Sequence, residues 1–461
     1  MANRVYSRRR SITGPIILMV IGIFFLLLTT GAMTRARLGW WFALYWPVLL
    51  IAVGVVRLVE YIIARRNDGP MPRFGGGSIF LLILVTLIGM GATRARNVNW
   101  QAFNDNVDVD TNFDAMFNQK YEFNDQQQQP VGSSAQNIQI ESEYGSVKLH
   151  SADDGHIKMT IHRRIAAGSQ DEANKLNAEN RPSIALEGNT LRVQSARPEP
   201  SVHVGFYFGP RVVTDLEIWA PKNMPVNLSG SHGDVAVDNR KGDVTLTTTH
   251  GDIQVDSIKG NVSLTTHHGS VKAQKIEGSV SVNGRIDDTE ISEVSGPVTL
   301  DGDFFGETRF TKIGGGVQFN SSRTELHFAR LDGDLHMDNG DLRGSSISGP
   351  FLLRTKAKDV HLDNISGDIT VEDSQAEVEV HPGLRAGNVD VQNRQGAIHM
   401  VLLAGAAFNI QARSEHGDIE TDLDLAKENN GPETTATGNV GKGGPTMHLS
   451  TQHGVIEIRK G

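Results

Sequence analysis

The chain contains no cysteine. That absence excludes disulfides, thiolate nucleophiles and cysteine-ligated metals outright. It leaves the compartment open, because oxidising compartments permit disulfides without requiring them. Lysine is missing from the first 96 residues, where Glu60 and Asp68 are the only acids against 12 arginines. That segment therefore carries +10, and the chain total of −9 leaves −19 for residues 97–461. So acidic a remainder repels a phosphate backbone, which excludes nucleic acid as its partner. Long hydrophobic runs are also absent from the acidic part and are confined to the basic segment.

Those runs predict a membrane anchor over residues 1–96, with helices at about 14–33, 38–64 and 77–93, each near the roughly 20 residues that cross a bilayer. Arg4, Arg8, Arg9 and Arg10 precede the first helix, and Arg65, Arg66 and Arg73 separate the second from the third. The loop between the first two holds only Arg35 and Arg37. The positive-inside rule then places the N-terminus in the cytoplasm and the bulk of the chain outside the membrane. Trp40, Trp41 and Tyr45 form the expected aromatic belt. Ser7-Arg8-Arg9-Arg10 before an apolar run also fits a signal peptide of twin-arginine type. Two further apolar segments and the lack of a small-x-small cleavage site favour retention, with the lipid bilayer as a partner. The stretch Trp46-Pro47-Val48-Leu49-Leu50-Ile51, followed by Gly54, resembles the LiaI/LiaF-like transmembrane region of bacterial envelope-stress proteins over about residues 12–95. That resemblance implies sensing or inhibition through a membrane partner.

Residues 97–135 are rich in Asn, Asp and Gln and end in Gln126–Gln129, Pro130 and Gly132-Ser133-Ser134, which reads as a polar linker without a core of its own. Alternation then begins. Ile138, Ile140, Val147, Leu149, Ile157, Met159 and Ile161 alternate with polar residues, predicting half-buried strands. Residues 136–225 are expected to form a strand-rich N-terminal cap with one short helix at 170–180.

The 49 glycines carry the strongest signal. Gly233, Gly242, Gly251, Gly260, Gly269 and Gly278 recur every nine residues, and the apolar positions make the unit eighteen. Counting from each alternate glycine, the third place is Val244, Val262, Val280 and Val298, and the fifth is Leu246, Leu264, Val282 and Leu300. The frame slips around Gly306–Gly340 and returns from Gly349. A fixed period of this length indicates a solenoid, whose coils bury their apolar faces only by stacking. The expected fold is all-β: a single-stranded β-solenoid of about 18 residues per coil over 226–461, preceded by the cap and the three transmembrane helices. Coils stacked about 4.8 Å apart would number about thirteen and reach about 60 Å. Gly marks the corners through its freedom in left-handed conformations. Asn283-Gly284 and Asn339-Gly340 predict turns. The stretch 425–445 reads as a flexible insertion.

The phrases His232-Gly233-Asp234-Val235, His250-Gly251-Asp252-Ile253 and His416-Gly417-Asp418-Ile419 resemble the putative-adhesin family of bacterial β-solenoids, a domain of unknown function. Glu217-Ile218-Trp219-Ala220-Pro221 is similar to that family's strand before the repeat. The likeness covers about 137–461 and implies the fold and an adhesion-type role.

His232, His250 and His268 lie eighteen apart and should stack along one edge. A metal-binding or proton-sensing ladder is one reading; corner residues that suit a tight turn are the simpler one. Calcium β-rolls need G-G-x-G-x-D, whereas each nonapeptide here has a single Gly followed directly by Asp. Asp301, Asp303 and Glu307, and Asp287, Asp288 and Glu290, are acid clusters of the kind that serve sugar chemistry. They sit in Gly-rich stretches where solvated acids are usual. No G-x-S-x-G, H-E-x-x-H, P-loop or dinucleotide fingerprint occurs. The sequence therefore assigns no catalytic, cofactor or metal residue. It predicts a membrane-anchored extracytoplasmic interaction protein for an envelope protein, a glycan or a second copy of itself. A regulatory module of an envelope-stress response is the alternative, and a polysaccharide-active enzyme the third reading.

Overall fold

The computed structural model describes Ile51 and residues 119–153, 155–195 and 212–461. The three expected membrane segments, Ile51 apart, and residues 97–118 of the linker lie outside the described residues. Among the described residues no helix is long and apolar enough to cross a membrane. The chain divides into two compact units; the smaller, Met1–Lys120, Ala166–Glu172 and Val204–Gly209, falls mostly outside the described residues. The larger, Tyr121–Ile165, Ala173–His203 and Pro210–Gly461, carries the repeat.

Apart from the helix Gln170–Glu179, the regular elements from Gln119 onward are strands. Each eighteen-residue coil contributes two strands, one to each of two ladders. In the first ladder Val226–His232, Val244–His250, Val262–Thr266, Val280–Ile286, Val298–Phe304 and Val317–Asn320 pair in parallel. In the second, Val235–Lys241, Ile253–Lys259, Val271–Glu277, Thr289–Val294 and Thr308–Ile313 do the same. The register follows the period read from the sequence, with Val262 beside Val244 and Val280, and Leu264 beside Leu246 and Val282. Because successive side chains point to opposite sides of a strand, the rows of Val and Leu face inward and are buried. Burying each such side chain contributes about 1.5–3 kcal/mol.

The second ladder departs from strict alternation at one fixed place. Asn239, Ser257, Lys275 and Glu293, eighteen residues apart, all take positive φ of 54 to 58°. This left-handed residue acts as a bulge: it shifts the parity so that the next residue, Arg240, Ile258, Ile276 or Val294, turns back into the core. The spacing of inward residues is thus two and then three, as in Ile253, Val255 and Ile258. In the first ladder Val262–Thr266 keeps strict alternation to its end, and this carries a polar side chain inward. Thr266 is buried, not a surface residue, and its hydroxyl donates to the carbonyl of His268 at 3.3 Å.

The glycine corners have a second cause besides backbone freedom. Gly251 has φ +135°, and a Cβ placed there would lie 2.2 Å from the carbonyl oxygen of Gly233. Each corner glycine therefore sits directly on the backbone of the coil before it. The Asp that follows locks the stack. Asp234 accepts the N–H of Asp252 at 3.0 Å, and Asp252 accepts that of Ser270 at 2.8 Å.

Four expectations change. The coil Asn137–Ala152, assigned to the cap, pairs in register with Val226–His232 and Val235–Lys241 and is the first coil of the solenoid. The segment between them supplies the cap, in which Val212–Pro221 lies between Val147–Ala152 and His156–Ala167. The expected linker ends in a strand, Gln119–Pro130. The stack does not continue uniformly where the frame slips. Val317–Asn320 turns back antiparallel into Thr324–Phe328, and Arg330–Met337 runs antiparallel to Thr308–Ile313. One coil, 324–337, is thus reversed, and the next strands, Phe351–Thr355 and Asp341–Ser345, restore the direction. Finally, 425–445 contains two antiparallel strands, Ala426–Asn430 and Glu433–Val440, rather than a bare loop. Glu433–Val440 pairs onto Phe408–His416, and the chain then returns so that Thr446–His453 inserts between Phe408–His416 and Val378–Gln395. The last coil in sequence is an interior coil in space.

Buried cations fix the junction with the cap. Arg240 occupies the row otherwise filled by Ile258, Ile276 and Val294. It donates to the carbonyls of Ala220 at 3.0 Å, Pro221 at 2.7 Å and Met224 at 3.1 Å. Burial lowers its pKa to about 10, opposed by Asp238. Arg163, also fully buried, donates to the carbonyls of Asn177 at 2.8 Å and Asn180 at 2.9 Å and pairs with Asp125. It holds the end of the helix against the cap strands.

Candidate functional site

The regular corner of the first ladder is built from Thr-His-His-Gly or a close variant. His232, His250 and His268 stack face to face at 4.8 and 4.9 Å, as their spacing predicts, and Tyr144 extends the stack at 4.8 Å from His232. His416 and His453 form a second pair at 4.8 Å. Among the described residues no group of three or more His, Asp or Glu is placed to hold a metal ion. Asp234 and Asp252, beside His232 and His250, are spent on the next coil's backbone, as shown above, whereas Asp418, beside His416, accepts the N–H of Ile419 at 2.8 Å and pairs with Lys427.

That corner changes in the two coils before the reversal. Counting from Gly278 and Gly296, the glycine moves from the tenth place to the seventh, giving Gly284 and Gly302. Asn283-Gly284, expected as a turn, lies inside the strand Val280–Ile286 and pairs with Asp301 and Gly302. The positions that follow His268 in its row, Ile286 and Phe304, turn toward the core instead of stacking outside. The backbones are in close contact here too, since a Cβ on Gly302 would lie 2.0 Å from the carbonyl oxygen of Gly284.

A row of two glycines without side chains, flanked by side chains on both sides, leaves a trough. It is an open cavity of about 470 Å³ lined by His267, Arg285, Asp301, Asp303, Asn320 and Ser321, with Gly284 and Gly302 along it. A second cavity of about 280 Å³ shares Asp303 and Ser321 and continues onto Phe305, Arg323, Asn339 and Lys358. The reversed coil walls this second space, because Asp338 and Asn339 close its hairpin. Asp338 accepts the N–H groups of Asp341 at 2.7 Å and Gly340 at 2.8 Å, which hold its carboxyl below the ordinary value. Asn339-Gly340 is therefore the turn its sequence predicts. Burial lowers the pKa of Lys358, opposed by Asp338, and its ammonium is tied to the Asp338 carbonyl. Phe305 is 48% exposed, and the Arg285 guanidinium lies over its ring at 5.4 Å.

The acid clusters of the sequence are separated by this geometry. Asp301 and Asp303 line the trough. Glu307 pairs with Arg309 at 2.5 Å and His336 at 3.2 Å. Asp288 accepts the N–H of Glu307 at 2.8 Å, and Glu290 pairs with Lys272 at 2.9 Å. Sequence reasoning missed Arg285, Phe305 and Asn320 as companions of Asp301 and Asp303, although the displaced glycine marks the place.

No curated protein matches the chain. Among solved structures, a "putative cell adhesion protein" from Clostridium sporogenes ATCC 15579 aligns at 10% identity, covering 74% of this chain and all of that one, with a TM-score of 0.19. A "putative adhesin" from Bacteroides fragilis NCTC 9343 aligns at 15% identity, covering 73% of this chain and 97% of that one, with a TM-score of 0.21. Residues 135–459, the first coil through the last, match the Toastrack DUF4097 model, and the chain belongs to that family.

Proposed function

We propose that the protein is a membrane-anchored envelope protein whose solenoid is displayed outside the cytoplasmic membrane as an adhesion-type interaction surface. In this reading it recognises an envelope protein, a glycan or a second copy of itself and catalyses no reaction. The observation that carries the reading is the outward face of the first ladder. Thr245, Ser263, Ser281, Thr299 and Gln318 form one row, and Thr247, Thr265, Asn283, Asp301 and Asn320 a second, each repeating at the strand spacing. A repeated polar surface on a stiff, cooperatively stacked core suits extended contact, as in other solenoids. The apolar segments of residues 1–96 and their arginine distribution support the anchor and its orientation. Reporter fusions after Gly69 should be cytoplasmic and those after Ser134 extracytoplasmic. A cytoplasmic reporter at Ser134 would move the solenoid inside and end the proposal.

The similarity of Trp46–Gly54 to envelope-stress anchors favours a second reading, regulation through a membrane partner. Crosslinking in membranes followed by purification of the full chain separates the two. Recovery of a sensor kinase argues for regulation; recovery of surface protein or glycan argues for adhesion.

A further inference from the structure

Glycan is one of the ligand classes in the proposed function, and the trough at Gly284 and Gly302 has the chemistry to take it. We propose that this trough is a binding subsite for a neutral oligosaccharide. The inference rests on the interaction reading and gives it a location and a ligand class.

Three features converge. First, the floor is the bare backbone of Gly284 and Gly302, one coil apart, and the lining extends along the stacking direction from His267 to Asn320, three coil spacings. At about 4.8 Å per coil this is about 14 Å, the length of a short oligosaccharide rather than of a single small molecule. Second, the walls carry planar polar side chains with no other employment. Asp301, Asp303, Asn320 and His267 make no side-chain hydrogen bond or ion pair among the described residues, and Arg285 makes only its contact with Phe305. Carboxylates accept from adjacent hydroxyl groups, while Asn320 and Arg285 donate to ring and hydroxyl oxygens. Hydrogen bonds to charged groups are among the stronger ones available to a polar ligand. Third, Phe305 offers an exposed ring at the end of the trough, where the second cavity meets it at Asp303 and Ser321. The C–H face of a pyranose can cover such a ring and bury apolar area on both sides.

Charge selects among glycans. Two carboxylates face one guanidinium along the trough, and residues 97–461 carry −19 overall. Both disfavour an anionic sugar, and a neutral one sets no like charge against the Asp301 and Asp303 carboxylates.

The test uses the full chain in lipid nanodiscs and saturation-transfer NMR with maltotriose, mannotriose, chitotriose and the anionic trigalacturonate. At least one neutral trisaccharide should receive saturation, and trigalacturonate should not. Asp303→Asn and Phe305→Ala should each weaken that binding about tenfold or more. Lys241→Ala, exposed at the end of Val235–Lys241 in the second ladder, should leave it unchanged. Urea midpoints equal to the parent's show that the variants are folded. Silence from all neutral trisaccharides, binding of trigalacturonate alone, or parental affinity in both trough variants overturns the subsite. Capture of an envelope protein with no sugar response keeps the interaction reading and removes the subsite. A cytoplasmic reporter at Ser134 with variant-sensitive sugar binding removes the former and keeps the latter.

Discussion

Replacing Gly251 by alanine tests how closely the coils are packed. The new Cβ would meet the Gly233 carbonyl oxygen at 2.2 Å and its carbon at 2.5 Å. Ordinary contact begins at 3.4 Å, so the two corners must part by about 1 Å. The bonds from Gly233 N–H to the His250 carbonyl, 2.9 Å, and from Val235 N–H to that of Asp252, 2.8 Å, cross this junction. An extra ångström takes both beyond useful length and costs about 1–3 kcal/mol for the pair. The φ of +135° adds about 1–3 kcal/mol for a residue with a Cβ. The total is about 2–6 kcal/mol, a large part of the stability of a cooperative segment. Gly188 is the control: its φ is +64°, yet a Cβ there meets nothing within 4 Å. Gly188→Ala should cost only the conformational share, about 1–2 kcal/mol. Urea unfolding of both variants, followed by circular dichroism, gives the comparison. Equal losses would show that close approach between coils does not explain the glycine period.

Leu264 is fully buried between Leu246 and Val282, so Leu264→Asp should open the central coils to protease, while Thr265→Asp, on the outward side, should not. Arg240→Ala strips the carbonyls of Ala220, Pro221 and Met224 of a donor and should cost about 2–5 kcal/mol. Lys241→Ala, on the exposed neighbour, should fall within about 0.5 kcal/mol of the parent by thermal or urea unfolding. The hydrogen bond from Arg354 holds the Glu325 carboxyl below its ordinary value, burial opposes it and His327 adds to it. A depressed carboxylate contributes stability above its unfolded pKa, near 4.5, and loses it as pH falls through the folded value. Glu325→Gln should therefore be less stable than the parent at neutral pH and converge with it in acid. A constant difference across the titration would refute the assignment.

The eighteen-residue rows were legible because a solenoid repeats the same environment at each coil, so selection for an inward Val or Leu leaves a period in the sequence. Val244, Val262 and Val280 needed no tertiary knowledge. The first coil was hidden because Ile138 and Val226 are neighbours in space but 88 residues apart, and Tyr144-Gly145 replaces His-Gly at its corner. The reversed coil was visible only as a loss of frame, since an antiparallel step between Val317 and Phe328 has the same alternation as a parallel one. Arg240 defied the pattern because a charge in an apolar row is intelligible only beside the carbonyls it caps. Of the trough, Asp301 and Asp303 could be named from their neighbours in sequence, but Arg285 and Asn320 join them only through stacking at intervals of eighteen and nineteen.

Because the natural chain has no cysteine, a single introduced thiol reports its own surroundings without background. The most direct measurement is labelling of spheroplasts with a membrane-impermeant maleimide, using the full chain carrying Gly69→Cys, Leu264→Cys or Thr265→Cys. Display of the solenoid outside the membrane in the register described predicts immediate labelling of Thr265→Cys, labelling of Gly69→Cys only after lysis, and labelling of Leu264→Cys only after unfolding. Protection of Thr265→Cys until lysis would contradict the orientation, and equal labelling at 264 and 265 in the folded chain would contradict the register.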